Sequence, residues 1–185
     1  MLTYHGFEMI DQVRDKLAKL LKASKEELIF TSGATESMCL IANGLKPIVK
    51  PGDEIILTDG EHTSNLLPWM ELAETSRAKL VYAKNAVNGI PTENSIIKAI
   101  TKHTKIIAFA DVSNLLGYEL DVAKIEKAAH AINKQIIIIV DATQSMPHKP
   151  IDLKKTKIDF MVCSGHKMLA GTGIGLCFIS KSYLN

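Results

Sequence analysis

The chain has 185 residues, 46% of them hydrophobic and 23% charged, a globular balance with length enough for a buried core. Lys plus Arg is 22 and Asp plus Glu is 20, so the formal net charge of +2 offers no electrostatic footprint for nucleic acid or an anionic membrane surface. Cys39, Cys163 and Cys177 stand far apart and odd in number, which excludes a disulfide framework, and no apolar run approaches the ~18 residues of a membrane span, so the chain reads as soluble and cytoplasmic.

Ile10, Val13, Leu17, Leu20 and Leu21 recur at helical spacing, which predicts an amphipathic helix over 6–23. "ELIF" at 27–30 predicts a short strand. "ATESMCLIANGL" at 34–45 predicts a helix with Gly44 as its terminator. "KPGD" is a turn into a strand at 54–58, and "SNLLPWMELAETS" predicts a helix that confines Pro68 to its first turn. "KLVYA" at 79–83 is the next strand. Thr92 is a good N-cap for the helix after it, beside Ser95 but without a full capping box. A strand at 104–110, a helix at 121–133, a fully apolar strand at 135–140 and strands at 159–163 and 173–179 complete the chain.

Helices alternate with strands, and several strands are apolar throughout. That pattern predicts an α/β fold of three layers, α/β/α, around a mostly parallel sheet covered on both faces. No repeat, low-complexity tract or long linker interrupts it, so residues 1–185 read as one domain.

In such a sheet ligands bind at the carboxyl ends of the strands. Five predicted strand ends carry polar clusters: "TSGATES", "DGEHTSN", "DVSNLLG", "DATQS" and "SGHK". They suggest one site fed by five loops. Thr35 and the backbone N–H groups at the start of the 34–45 helix suit a phosphate, or form an ordinary strand–helix turn. Asp141, at the end of a buried strand, either meets a cationic partner or forms a turn, and Gln144 lies three residues on. Lys167 follows Ser164, Gly165 and His166. Apolar walls and a second cation there would favour a nucleophilic amine, whereas most lysines are simply solvated. His62 can stack on an aromatic ligand or cap a turn. Asn114 can donate to a ligand oxygen or close a loop.

His5, His103, His130 and His148 read as surface, and the three cysteines as buried small apolar residues. No grouping of residues suggests a metal ligand set.

Together these clusters resemble a known family. "VDATQSMPHKPIDLKKTKIDFMVCSGHKMLAGTGIGLCF" is similar to the cofactor-lysine block of the pyridoxal-phosphate enzymes in the class V aminotransferase group, and within it to the cysteine desulfurases. "EHTSNLLPW" and "VSNLLGYELDV" look more like the Suf-type branch. The resemblance implies the large domain of the fold type I transferases. It implies that Lys167 holds pyridoxal 5'-phosphate covalently, that Asp141 pairs with the ring nitrogen, and that His62 stacks on the ring and relays protons. Gln144 and Asn114 would lie near the ring's phenolic oxygen. Thr35, Ser164, His166 and the helix start at Ala34 would hold the phosphate. Ala34 stands where the family usually has a second hydroxyl residue.

The resemblance further implies conversion of L-cysteine to L-alanine, with sulfur passed as a persulfide to an acceptor protein for iron–sulfur cluster assembly or thiolation, in a homodimer. Family members also carry an upstream segment and a small second domain with the persulfide-forming cysteine and a carboxylate-binding arginine. Neither has a counterpart here, so the chain is expected to be a large-domain fragment, inactive alone. The same cofactor loops would serve an aminotransferase, a selenocysteine lyase or an epimerase, or survive in a non-catalytic interaction module.

Overall fold

The structure is a computed structural model describing residues 2–84 and 89–184. The helices are α1 (Leu2–Leu21), α2 (Ala34–Leu45), α3 (Leu67–Ser76), α4 (Glu93–Ala99) and α5 (Val122–Ile132). The strands are β1 (Leu28–Thr31), β2 (Glu54–Thr58), β3 (Lys79–Ala83), β4 (Thr104–Ala110), β5 (Ile137–Asp141), β6 (Phe160–Ser164) and β7 (Gly175–Ile179). They form one seven-stranded sheet in the order β1-β7-β6-β5-β4-β2-β3. Only β7 runs against the rest, pairing antiparallel with both β6 and β1. The other six strands therefore end at one edge, and the α/β expectation with a mostly parallel, mixed sheet is met.

Side chains alternate across a strand with period two, and the two faces bury separate cores. Ile107 and Phe109 of β4 and Ile138 and Val140 of β5 pack with Leu21 of α1, Ile96 of α4 and Ile125 of α5. Ile106 and Ala108, with Ile137 and Ile139, pack with Met38 and Ile41 of α2 and Trp69 and Leu72 of α3. The runs 106–110 of β4 and 137–140 of β5 are apolar throughout because both faces are covered.

Several local expectations change. α1 has the predicted periodicity, but burial reaches only its C-terminal end: Leu21 is inaccessible, while Ile10 and Val13 are 48% and 47% exposed. Gly44 does not end α2. The helix has the predicted span, 34–45, but its cap is Lys46, which stays right-handed. Pro68 sits in the first turn of α3 as its missing N–H requires. Thr92 and Ser95 form a reciprocal cap: Thr92 Oγ1 accepts from the Ser95 N–H at 3.2 Å and Ser95 Oγ from the Thr92 N–H at 3.0 Å. A serine hydroxyl thus fills the role of the absent Glu.

His130 is not a surface residue. Its ring is largely buried between Glu126 Oε1, 2.7 Å away, and the Ile136 carbonyl, 3.1 Å away. Cys39 is exposed on α2 rather than buried, whereas Cys163 and Cys177 are buried in the sheet. Among the described residues, no helix is long and apolar enough to cross a membrane, and no group of three His, Cys, Asp or Glu could hold a metal ion.

Candidate active site

The site begins with the parity of two strands. Asp141 ends β5 in phase with Ile137 and Ile139, and Ser164 ends β6 in phase with Phe160 and Val162. All four of those apolar side chains face α2 and α3. Asp141 and Ser164 are therefore carried onto the same face, at the carboxyl edge, and both are nearly buried at 6% and 7% exposure.

A cavity of about 230 Å³ opens there. Ala34 and Thr35 from the start of α2 line it, with His62 from the loop after β2 and Asn114 from the loop after β4. Asp141 and Gln144 enter from the end of β5, and Ser164, His166 and Lys167 from the end of β6. All nine residues singled out in the sequence border this one space. Ser64, Ala110, Val112 and Thr143 also line it. Sequence reading passed over these four because small polar and apolar residues carry no distinctive signal.

Burial raises the Asp141 carboxyl above the usual carboxylate range, opposed by its hydrogen bonds from Thr143 and by the nearby His62. One of those bonds is the Thr143 backbone N–H donating to Asp141 Oδ1 at 3.0 Å. A cation brought to this carboxylate would recover part of its desolvation cost.

His62 has both of the roles open to it in the sequence. It caps the short 3₁₀ turn Thr63–Asn65, its Nδ1 accepting from the Ser64 N–H at 3.2 Å, while the ring borders the cavity. With Nδ1 as acceptor, the neutral ring carries its proton on Nε2.

Ser164 is already engaged, because its Oγ accepts the Ala34 N–H at 2.9 Å. The Ala34 N–H is thus paired within the chain, at the rim of the cavity that Ala34 also lines. Lys167 lies on the 3₁₀ turn Gly165–Met168. It and His166 are exposed.

Glu61 is the residue that sequence reading missed. Its carboxylate lies beneath the His62 loop, bonded to Thr58, Asn65 and the Ala110 N–H, and burial raises it to about 7. A glutamate in a polar loop reads as solvated surface, and nothing local marks it otherwise.

The cysteines take no part in this cavity. Cys163 and Cys177 are pushed up to about 12 by burial, and Cys39 lies on α2 in a separate small groove with Lys46 and Glu71.

The sequence pattern of the aminotransferase class-V family matches residues 3–185. A probable cysteine desulfurase of Ureaplasma parvum is 46% identical over 182 residues, covering 98% of this chain and 45% of that protein. The apo structure of a cysteine desulfurase from Thermococcus onnurineus superposes with a TM-score of 0.91 at 35% identity, over 99% of this chain and 45% of that one. The Escherichia coli cysteine desulfurase CsdA superposes with a TM-score of 0.87 at 33% identity, over 94% of this chain and 43% of that one. The chain thus spans less than half the length of these relatives. With the family pattern running through nearly all of its length, the chain belongs to the class-V aminotransferases.

Proposed function

We propose that the cavity is the pyridoxal 5'-phosphate site of a cysteine desulfurase, an enzyme that releases L-alanine from L-cysteine and passes the sulfur on as a persulfide. The observation that carries this reading is the grouping of one buried carboxylate, one lysine amine and two imidazoles, His62 and His166, around a single cavity, with hydroxyls and a helix start at its rim. The donor set fits the group. Thr35, His166 and the free N–H groups after Ala34 would take the phosphate. Asp141 would pair with the ring nitrogen, and the partner charge would offset the burial that now raises its carboxyl. Asn114 and Gln144 would orient the ring through its phenolic oxygen, and Ser164 would act mainly by fixing Ala34.

When bound, the cofactor supplies an electron-withdrawing ring that stabilises negative charge at the amino acid's Cα. The chain's part is acid–base and positional. Lys167 would hold the cofactor, and its amine would be the base that takes the Cα proton. His62 presents a flat ring to the cavity and holds an exchangeable proton on Nε2.

The sulfur-accepting thiolate comes from outside these 185 residues, because none of the three cysteines lines the cavity. Delivery to an acceptor protein for iron–sulfur cluster assembly or thiolation, and pairing as a cytoplasmic homodimer, belong to the same proposal.

The test is to incubate the chain with pyridoxal 5'-phosphate, reduce it with borohydride and map the pyridoxyl adduct by mass spectrometry. The adduct is expected on Lys167 in preference to other lysines, with the visible absorbance of the bound cofactor lost in Lys167→Ala. An adduct spread evenly over surface lysines, or unchanged absorbance in the variant, would sink the cofactor reading. Release of alanine and sulfide from L-cysteine by a longer protein containing this chain, in the presence of a thiol, separates a desulfurase from a transaminase or epimerase.

A further inference from the structure

Glu61 stands immediately before His62, and its side chain turns inward under the loop. The carboxylate accepts from Thr58 Oγ1 at 2.5 Å, from Asn65 Nδ2 at 2.6 Å and from the backbone N–H of Ala110 at 3.0 Å. These three donors belong to three different places. Thr58 ends β2, Asn65 ends the 3₁₀ turn that His62 caps, and Ala110 ends β4.

The last of these bonds has a topological cause. Pairing of β2 with β4 ends at Ile56 and Ile107, so the Ala110 N–H lies beyond the ladder. Glu61 supplies the acceptor that β2 no longer offers. On its other side Ala110 is in register with Asp141 of β5. Asn65 is fastened in turn by the Trp69 indole, whose Nε1 donates to Asn65 Oδ1 at 2.9 Å.

We propose that Glu61 is a positioning residue of the cofactor cavity: its carboxyl locks the loop that carries His62 onto the end of β4, and so holds the imidazole in a fixed relation to Asp141. The inference rests on the reading of the cavity given above.

The chemistry of the network supports it. Burial raises Glu61, with the charge of Asp141 acting in the same direction. Tyr118, buried beside Thr58 and Glu61, and His62 on the same loop are the other titratable groups around it. On protonation the carboxyl reverses the Thr58 bond, donating to Oγ1, and still accepts from Asn65 and Ala110, so the network holds in either charge state. A glutamine amide offers the same pattern of one donor side and one acceptor side.

The test compares Glu61→Gln with Glu61→Ala in the whole chain. In the cofactor-free protein, Glu61→Ala should speed amide exchange at Ala110 by about tenfold or more and shift the His62 ring resonances, because a buried N–H loses its partner. Its affinity for pyridoxal 5'-phosphate should fall by about tenfold, the equivalent of one buried hydrogen bond. Glu61→Gln should rescue all three readouts. Should Glu61→Ala not fold, Glu61→Asp takes its place, since it keeps the charge and loses the reach.

Wild-type exchange at Ala110 and an unmoved His62 ring in the Ala or Asp variant would overturn the proposal. So would unchanged cofactor affinity in that variant, or a Gln variant as damaged as the Ala variant. If the wild-type chain forms no adduct at Lys167, the cofactor reading fails, while the exchange and ring measurements still decide the role of Glu61.

Discussion

The Ser164 hydroxyl accepts a hydrogen bond from the backbone N–H of Ala34 at 2.9 Å, joining positions 130 residues apart. The bond ties the end of β6 to the start of α2 at the rim of the cavity. A Ser164→Ala variant leaves that N–H buried and unpaired, at a cost of about 1–3 kcal/mol. Urea denaturation should register the loss, and affinity for pyridoxal 5'-phosphate should weaken with it. An unchanged unfolding midpoint would mean that the bond contributes nothing to the fold.

Gly175 is held to glycine by close approach. A Cβ there would lie 2.4 Å from Gly33 Cα and 2.7 Å from the Gly33 backbone nitrogen. β7 and the turn into α2 are that near, and backbone atoms cannot swing aside as a side chain can. Gly175→Ala should therefore destabilise the chain by about 1–3 kcal/mol or more, as overpacking does, and loosen the Ala34–Ser164 bond next to it. Chemical denaturation of the variant, with amide exchange at Ala34, checks both effects.

Glu61 gives the cofactor-free chain a pH-dependent stability. Its carboxyl rises from 4.5 to about 7 on folding, so the folded state binds the proton more tightly than the unfolded state. The stabilisation is full below about pH 4.5 and disappears as pH rises through about 7. The whole difference is on the order of 3 kcal/mol. Asp141, also raised by burial, adds in the same direction. The difference in unfolding free energy between wild type and Glu61→Gln should shrink or reverse between pH 5 and 7.5 as the wild type loses stability. A difference that stays constant over that range would contradict the assignment.

The thiols should divide sharply. Cys39 is exposed, while Cys163 and Cys177 are buried and pushed up to about 12. A disulfide reagent at mild alkaline pH should titrate one thiol quickly and the other two only on unfolding, because only the thiolate reacts. Cys39→Ser should remove the fast phase. Two fast thiols in the native chain would contradict the buried placement of the sheet cysteines.

The architecture was largely legible in the sequence because period and punctuation are local. The apolar runs at 135–140 and 104–110 announced strands covered on both faces, and the polar residues just beyond them marked the edge where a cavity opens. Lys167, Asp141 and Gln144 could be singled out because each stands at or within three residues of a strand end. What misled was also local. Gly44 looked like a terminator although α2 continues through Leu45. Cys39 fell in a helical pattern whose phase puts it outward.

The sequence by itself determined the order of the elements, the α/β class and the membership of nine residues in strand-end clusters. These follow from side-chain polarity and spacing along the chain. Only the tertiary structure decided that β7 is reversed, that Ser164 consumes the Ala34 donor, and that Glu61 faces inward. The Ala110 N–H that Glu61 satisfies lies 49 positions away, at a point where one strand of a pair has already ended. A donor left over by sheet pairing exists only once the sheet has formed, so no pattern in the sequence could point to its partner.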